Sequence, residues 1–287
     1  MDAKLMAFAE HLQARVDWLA SPPDSKPTMK RGPTKIVCLT EEPTEILWAL
    51  GEADRIVGIS AYTVRPPEIR KTKPIVSAFI NGSVQKIKAL KPDLVVGFSD
   101  IQSELAAKLI KAHLPVLIFN QRTIAEILEV IGTLGRIVDA SAKANALVDQ
   151  YRRRLDQIAT AGRKLSYRPR VYFEEWDDPM ISGIQWVSEL IEVAGGTDVF
   201  SDLAECKGAM ERVVTSEQII AAQPDIILAS WCGKPVDIDQ IKSRAGFHGI
   251  PAVQKQRIYE IDPCIILQPG PAALTDGLDL VSQIIRG

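Results

Sequence analysis

Aromatic residues make up 6% of this 287-residue chain, yet Tyr62, Phe79, Phe98, Trp176 and Trp231 each stand at the end of a short apolar run. Rings gathered at such ends suit a flat, partly apolar ligand. The other reading, for Phe79 and Phe98 above all, is that they cap the cores behind them. Carboxylates cluster nearby, as Glu41-Glu42 in one half and as Glu174-Glu175 with Asp177-Asp178 in the other. A hard cation needs several oxygen ligands at ~2.0–2.6 Å, and strand alternation turns only one of Glu174 and Glu175 inward. A cationic or polyhydroxyl ligand needs acceptors alone, whereas a solvated acidic loop, with Asp178 shaping a turn before Pro179, needs no ligand. Arg122, after Asn120-Gln121, would either clamp an anionic group or pair with Glu41 or Glu42. Cys232, between Trp231 and Gly233-Lys234, is a metal ligand or nucleophile if Lys234 lowers its pKa, and inert otherwise. Asp100, Gln121 and Ser182 complete the candidate set, as groups that would orient polar substituents of a ligand.

The elements that must position these residues are written twice. Pro92-Asp93 is followed by Leu94-Val95-Val96-Gly97-Phe98-Ser99, and 132 positions later (224 − 92) Pro224-Asp225 is followed by Ile226-Ile227-Leu228-Ala229-Ser230-Trp231. In each copy a helical run stops at the Pro-Asp pair and feeds a buried strand, whose far end opens where α/β sheets hold ligands. Strands are predicted over 35–40, 56–59, 75–76, 93–97 and 116–119, then over 168–174, 225–230 and 257–261. Helices are predicted over 42–50, 83–90, 102–112 and 123–137, then over 186–193, 216–222, 238–243 and 272–285. Between the two series, 140–165 is free of proline and dense in good helix formers, which makes it one helix longer than a lobe needs. The expected fold class is α/β: two Rossmann-like lobes with mostly parallel sheets, joined by one long α-helix. The divisions are an N-terminal helix and linker at 1–33, a lobe at 34–139, the connector at 140–166 and a second lobe at 167–287.

Composition excludes several function classes. Lysine and arginine number 34 against 36 aspartates and glutamates, so the net charge of −2 gives no electrostatic case for a nucleic-acid partner. At 46% hydrophobic and 24% charged the chain is not disordered, and no apolar run approaches the ~20 residues of a membrane span. Cys38, Cys206, Cys232 and Cys264 form no metal or redox spacing, and His11, His113 and His248 are too few for a multi-histidine zinc or manganese receptor. In the first twenty residues, Leu5, Phe8, Leu12, Val16 and Leu19 follow helical spacing. Lys4, Glu10, His11, Arg15 and Asp17 interrupt any secretory core, so a cytoplasmic location is expected. Met29 stands in a proline-rich arm as a second possible start. With no glycine-rich phosphate loop, GxSxG or HExxH, an enzyme is not expected.

Several collinear blocks carry a family resemblance: Ile36-Val37-Cys38-Leu39-Thr40 with Thr44-Glu45, Val57-Gly58-Ile59-Ser60-Ala61-Tyr62 with Pro66-Pro67, Val76-Ser77, and 89–95. In the second half they are Ser182-Gly183, Gly195-Gly196 with Val199-Phe200, and Pro269-Gly270-Pro271. From about Lys35 onward the chain resembles the helical-backbone substrate-binding proteins of ABC importers, which carry cobalamin, haem and iron-siderophores, and most of all the cobalamin-binding members. The resemblance implies a small-molecule ligand, such as a cobalamin-like corrinoid, held in an interlobe cleft. It also implies a glutamate on each lobe that meets a permease arginine. Those positions are Gln85 and Leu267 or Gln268 here, and Ala272 replaces an arginine, so permease docking is expected to be lost. A cytosolic enzyme, or a metal or siderophore sensor on the same scaffold, is the alternative.

Overall fold

The computed structural model describes residues 32–287 together with Met6 and Gln13. The expectations for the leading helix, the proline-rich arm and Met29 lie outside the described residues. Pro33–Gly287 forms one compact unit.

Six strands make the first sheet: β1 (Ile36–Cys38), β2 (Ile56–Ser60), β3 (Ile75–Ala78), β4 (Asn81–Gly82), β5 (Leu94–Phe98) and β6 (Val116–Phe119). Their order is β4-β3-β2-β1-β5-β6, parallel throughout except between β3 and β4. The central β1 and β5 are buried along their whole length, which is why they read as unbroken apolar runs. Helices α1 (Glu41–Ala49) and α2 (Ser103–Lys111) return the chain between strands, and α3 (Ile124–Ile137) follows the last strand, β6. Then α4 (Ser141–Gly162) leads to the second sheet. That sheet holds β7 (Arg170–Asp177), β8 (Met180–Ser182), β9 (Thr197–Asp198), β10 (Ile226–Ala229) and β11 (Ile258–Glu260). Its order is β11-β10-β7-β8, with β9 also on β7, and only the β7–β8 pair is antiparallel. Helix α5 (Gln185–Ala194) and the C-terminal α6 (Leu278–Arg286) pack together on this lobe.

The repeated Pro-Asp pair has the same physical role in both lobes. Asp93 accepts from the Thr34 and Lys35 amides at 2.7 and 2.8 Å, and Asp225 accepts from the Arg170 amide at 2.9 Å and the Tyr167 hydroxyl at 2.7 Å. Each carboxylate opens one strand and ties the entry of its parallel neighbour, β1 beside β5 and β7 beside β10. Proline ahead of it ends the helix and leaves the strand to start there.

A continuous buried apolar cluster runs from Leu47 and Ile131 through Tyr151 of α4 to Trp186 and Leu278. The connector is held closely at both ends: a Cβ at Gly135 would stand 2.2 Å from Ala144 Cβ, and one at Gly162 would stand 2.9 Å from Gly195 Cα. Gly195, at φ 96°, closes α5 in the left-handed region. The structure departs from the expected elements at the last helix, where Ala273–Gly277 forms a π-helical turn ahead of α6. It also adds β4, β8 and β9, strands of two or three residues that leave almost no periodicity to read.

Candidate functional site

The carboxyl ends of the two sheets face each other. From the first lobe, the charge of Glu41 reaches Cys232 and Cys264 of the second, and Arg122 feels both Arg212 and Glu175. Phe98, closing β5, meets Trp186 edge-on with centroids 6.3 Å apart. Gln121 Nε2 donates across to Pro269 O at 3.0 Å, and Gln268 Nε2 donates back to Glu41 Oε1 at 3.0 Å.

On the first lobe the candidates divide by depth. Tyr62 and Asp100 are exposed and Phe79 is half-buried, so none of the three is closed into the core. Arg122 is held at the start of α3, where the Thr123 and Glu126 capping box forms and the Arg122 amide donates to Glu126 Oε2 at 2.6 Å. Its guanidinium pairs with Asp100 at 3.1 Å and lies 5.3 Å from the Phe98 ring centroid. The partner is therefore Asp100, not Glu41 or Glu42, because the cap points the chain toward the end of β5. Burial lowers the Arg122 pKa, Asp100 offsets this in part, and Arg212 adds to it. Phe98 is buried against the core, as its capping reading had it. Glu41, Glu42 and Gln121 are also buried, under the Gln268–Gly270 turn.

On the second lobe the structure turns three candidates inward. Glu174 is fully buried and receives the Arg244 guanidinium through both of its oxygens, one at 2.9 Å, with Trp231 Nε1 at 3.1 Å and the Tyr172 hydroxyl at 3.2 Å. Trp231 belongs to the core behind β10. Ser182 is buried and donates to Arg212 O at 3.1 Å. These side chains do not orient a ligand directly, since the lobe's own groups already occupy them. Glu175 turns the other way and takes Arg212 at 2.7 and 3.0 Å, as strand alternation requires.

Trp176 remains half-buried, its Nε1 donating to Asp178 O at 3.0 Å. Lys234 pairs with Asp177 at 2.6 Å and lies 4.4 and 4.9 Å from the Trp176 and Trp231 centroids. That lysine is therefore not the activator of Cys232. Burial raises the exposed-edge thiol of Cys232 instead, with Glu41 and Glu175 adding to it. Cys264 is pushed up to about 12, by burial and then Asp262. Among the described residues no group of three or more His, Cys, Asp or Glu is placed to hold a metal ion.

Sequence reasoning missed Arg212, Arg244 and the inward role of Gln268. The two arginines carry no spacing signal, being 37 and 70 residues from their partners Glu175 and Glu174. Gln268 directly precedes the Pro269-Gly270-Pro271 block, which was the available sign. Gln85, where the resemblance leads one to expect a docking glutamate, is exposed, and Leu267 is half-buried.

A family model described as periplasmic binding protein matches residues 36–264. An ABC transporter substrate-binding lipoprotein, YvrC of Bacillus subtilis, is 28% identical over 90% of this chain and 82% of its own length. The vitamin B12-binding protein of Vibrio cholerae is 27% identical over 87% of each. Among solved structures, a possible iron-binding (periplasmic solute-binding) protein from Staphylococcus epidermidis superposes with a TM-score of 0.77 and 26% identity, covering 90% of this chain and all of that one. A lipoprotein and a periplasmic protein among them run against the expected cytoplasmic location. No described helix is long and apolar enough to cross a membrane.

Proposed function

This chain belongs to the periplasmic binding protein family, and on that premise we propose that it holds a flat metal chelate, a cobalamin-like corrinoid first, between its lobes. It does so as a substrate-binding component of the ABC-transporter type. The observation that carries this is the opposition of the two sets of sheet ends, bridged by Gln121 to Pro269 O, by Gln268 to Glu41 and by Phe98 against Trp186. Tyr62, Phe79 and Trp176 supply rings at that gap, and Asp100, Arg122 and Cys232 supply polar groups. Glu174, Trp231 and Ser182 act one layer behind, fixing the wall that Trp176 and Arg212 present. Names of relatives that bind vitamin B12 or are described as iron-binding support a metal-containing small molecule as cargo. Enzymatic readings lose support because the one candidate nucleophile, Cys232, has its thiol raised.

Transport contacts are where this chain departs from the family's docking pattern. Gln85 offers no carboxylate, and Gln268 is bonded to Glu41 rather than facing outward. The B. subtilis relative makes an extracytoplasmic site of action the reading to test against a cytoplasmic one. Calorimetric titration of the purified chain with cyanocobalamin, haemin and a ferric hydroxamate tests the ligand class. Cyanocobalamin is expected to bind, and Trp176→Ala to weaken it by about 1–3 kcal/mol, as removal of a buried aromatic anchor does. Absence of binding by all three, or full affinity in the Trp176→Ala variant, would overturn the assignment.

A further inference from the structure

The Gln268-Pro269-Gly270 turn of the second lobe lies directly on the first turn of α1. Gln268 donates to Glu41 Oε1 at 3.0 Å and Gln121 donates to Pro269 O at 3.0 Å, while a Cβ built at Gly270 would stand 2.6 Å from Glu42 Cβ. Two residues on, the Ala272 amide donates to Glu45 Oε2 at 3.1 Å, and Arg65 joins Glu45 at 3.1 Å to Asp276 at 2.8 Å. The clasp thus joins the lobes through one short segment.

Beneath it three buried oxygen acceptors have no partner: Glu41 Oε2, Glu42 Oε2 and Gln121 Oε1. The Thr40 hydroxyl takes the remaining oxygen of Glu42 at 2.8 Å. The titratable groups that face the pair are Glu45 on the same helix, Cys38 on β1, and Cys232 and Cys264 from the second lobe. None of these is a cation. Arg65, the cation of the clasp, is engaged by Glu45 and Asp276. Orphaned acceptors out of water are costly, and two adjacent desolvated carboxylates resist joint ionisation. A proton relieves both faults, because it removes one charge and turns one acceptor into an O–H donor that can satisfy another.

We infer that closing the lobes takes up protons at the Glu41–Glu42 pair, so that the clasp holds when the pair is protonated and loosens when it ionises. Burial pushes Glu41 up to about 7, and burial with the charge of Glu41 pushes Glu42 up to about 8, from an ordinary 4.5. Between the ordinary value and these raised values the closed form binds more protons than one in which water reaches the pair. Closure therefore weakens as pH rises through that window and changes little above it. The inference goes beyond the ligand-binding reading and does not depend on which ligand the cleft takes.

Small-angle X-ray scattering of the full chain from pH 5.5 to 9 tests it without ligand. The radius of gyration is expected to rise with pH and to level off above about 8, where the pair is ionised in both forms, and the Glu41→Gln, Glu42→Gln double variant to stay compact throughout. Circular dichroism checks its fold; if the double variant does not fold, the single Glu42→Gln variant is expected to show a reduced rise. A Gly270→Ala variant, whose methyl meets Glu42, is expected to be expanded even at pH 5.5. An unchanging wild type, or an equal rise in the glutamine variants, would overturn the inference.

Discussion

Glu174 takes an arginine, a tryptophan and a tyrosine on one carboxylate, and it has no contact with water. Removing one member of a buried ion pair leaves the other charge uncompensated, at a cost of about 3–5 kcal/mol when both are deeply buried. Arg244 is part-exposed, so Glu174→Ala is expected to lower unfolding stability by about 3 kcal/mol, read from urea melts followed by tryptophan fluorescence. Arg244→Ala should cost less than that, and the double variant less than the sum. A loss below about 1 kcal/mol for Glu174→Ala would show that the pair does not hold this wall. The sequence made Glu174 conspicuous without revealing its direction. Alternation says that Glu174 and Glu175 part, but which one faces inward is decided by Arg244 and by the register shift of β7 against β8 between Glu174 and Trp176.

At the scale of elements, the connector matters through backbone contact. A Cβ built at Gly162 would stand 2.9–3.0 Å from backbone atoms of Ala194 and Gly195, so an added methyl has no flexible side chain to displace. Gly162→Ala is expected to cost about 1–3 kcal/mol, in the range of overpacked cores. A Cβ built at Gly132, in the middle of α3, would meet only the end of Arg136 beyond its own helix backbone, at 3.5 Å. Gly132→Ala should instead stabilise by about 0.5–1 kcal/mol, through helix propensity and a less flexible unfolded chain. Thermal or urea unfolding of the two variants side by side checks the pair, and equal signs would contradict it. Long regular elements were legible because burial on both faces or on one stripe writes a period into the chain. The proline-free connector and the duplicated Pro-Asp entries are examples. The π-helical turn at Ala273–Gly277 was not, since Leu274 and Leu278 keep a helical spacing whichever ladder the backbone forms.

The whole molecule is built around two sheets whose ends meet. Strand ends can be enumerated from sequence, because every parallel strand of a sheet finishes at the same edge. What plugs that edge cannot be, as Gln121 finds Pro269 across 148 residues and Glu41 finds Gln268 across 227. Side chains left open or half-buried, such as Tyr62 and Trp176, are thereby divided from those closed beneath these contacts, Glu41, Glu42 and Gln121. Family membership fixes the architecture, while the cargo depends on this local division. Hydrogen–deuterium exchange with and without saturating cyanocobalamin reads whether a ligand sits between the two sets of strand ends. Protection is expected together at 60–62, 78–79, 98–100 and 120–122 of the first lobe and at 174–178 and 231–234 of the second. Protection confined to one lobe, or falling away from both sets of strand ends, would contradict a ligand held between them.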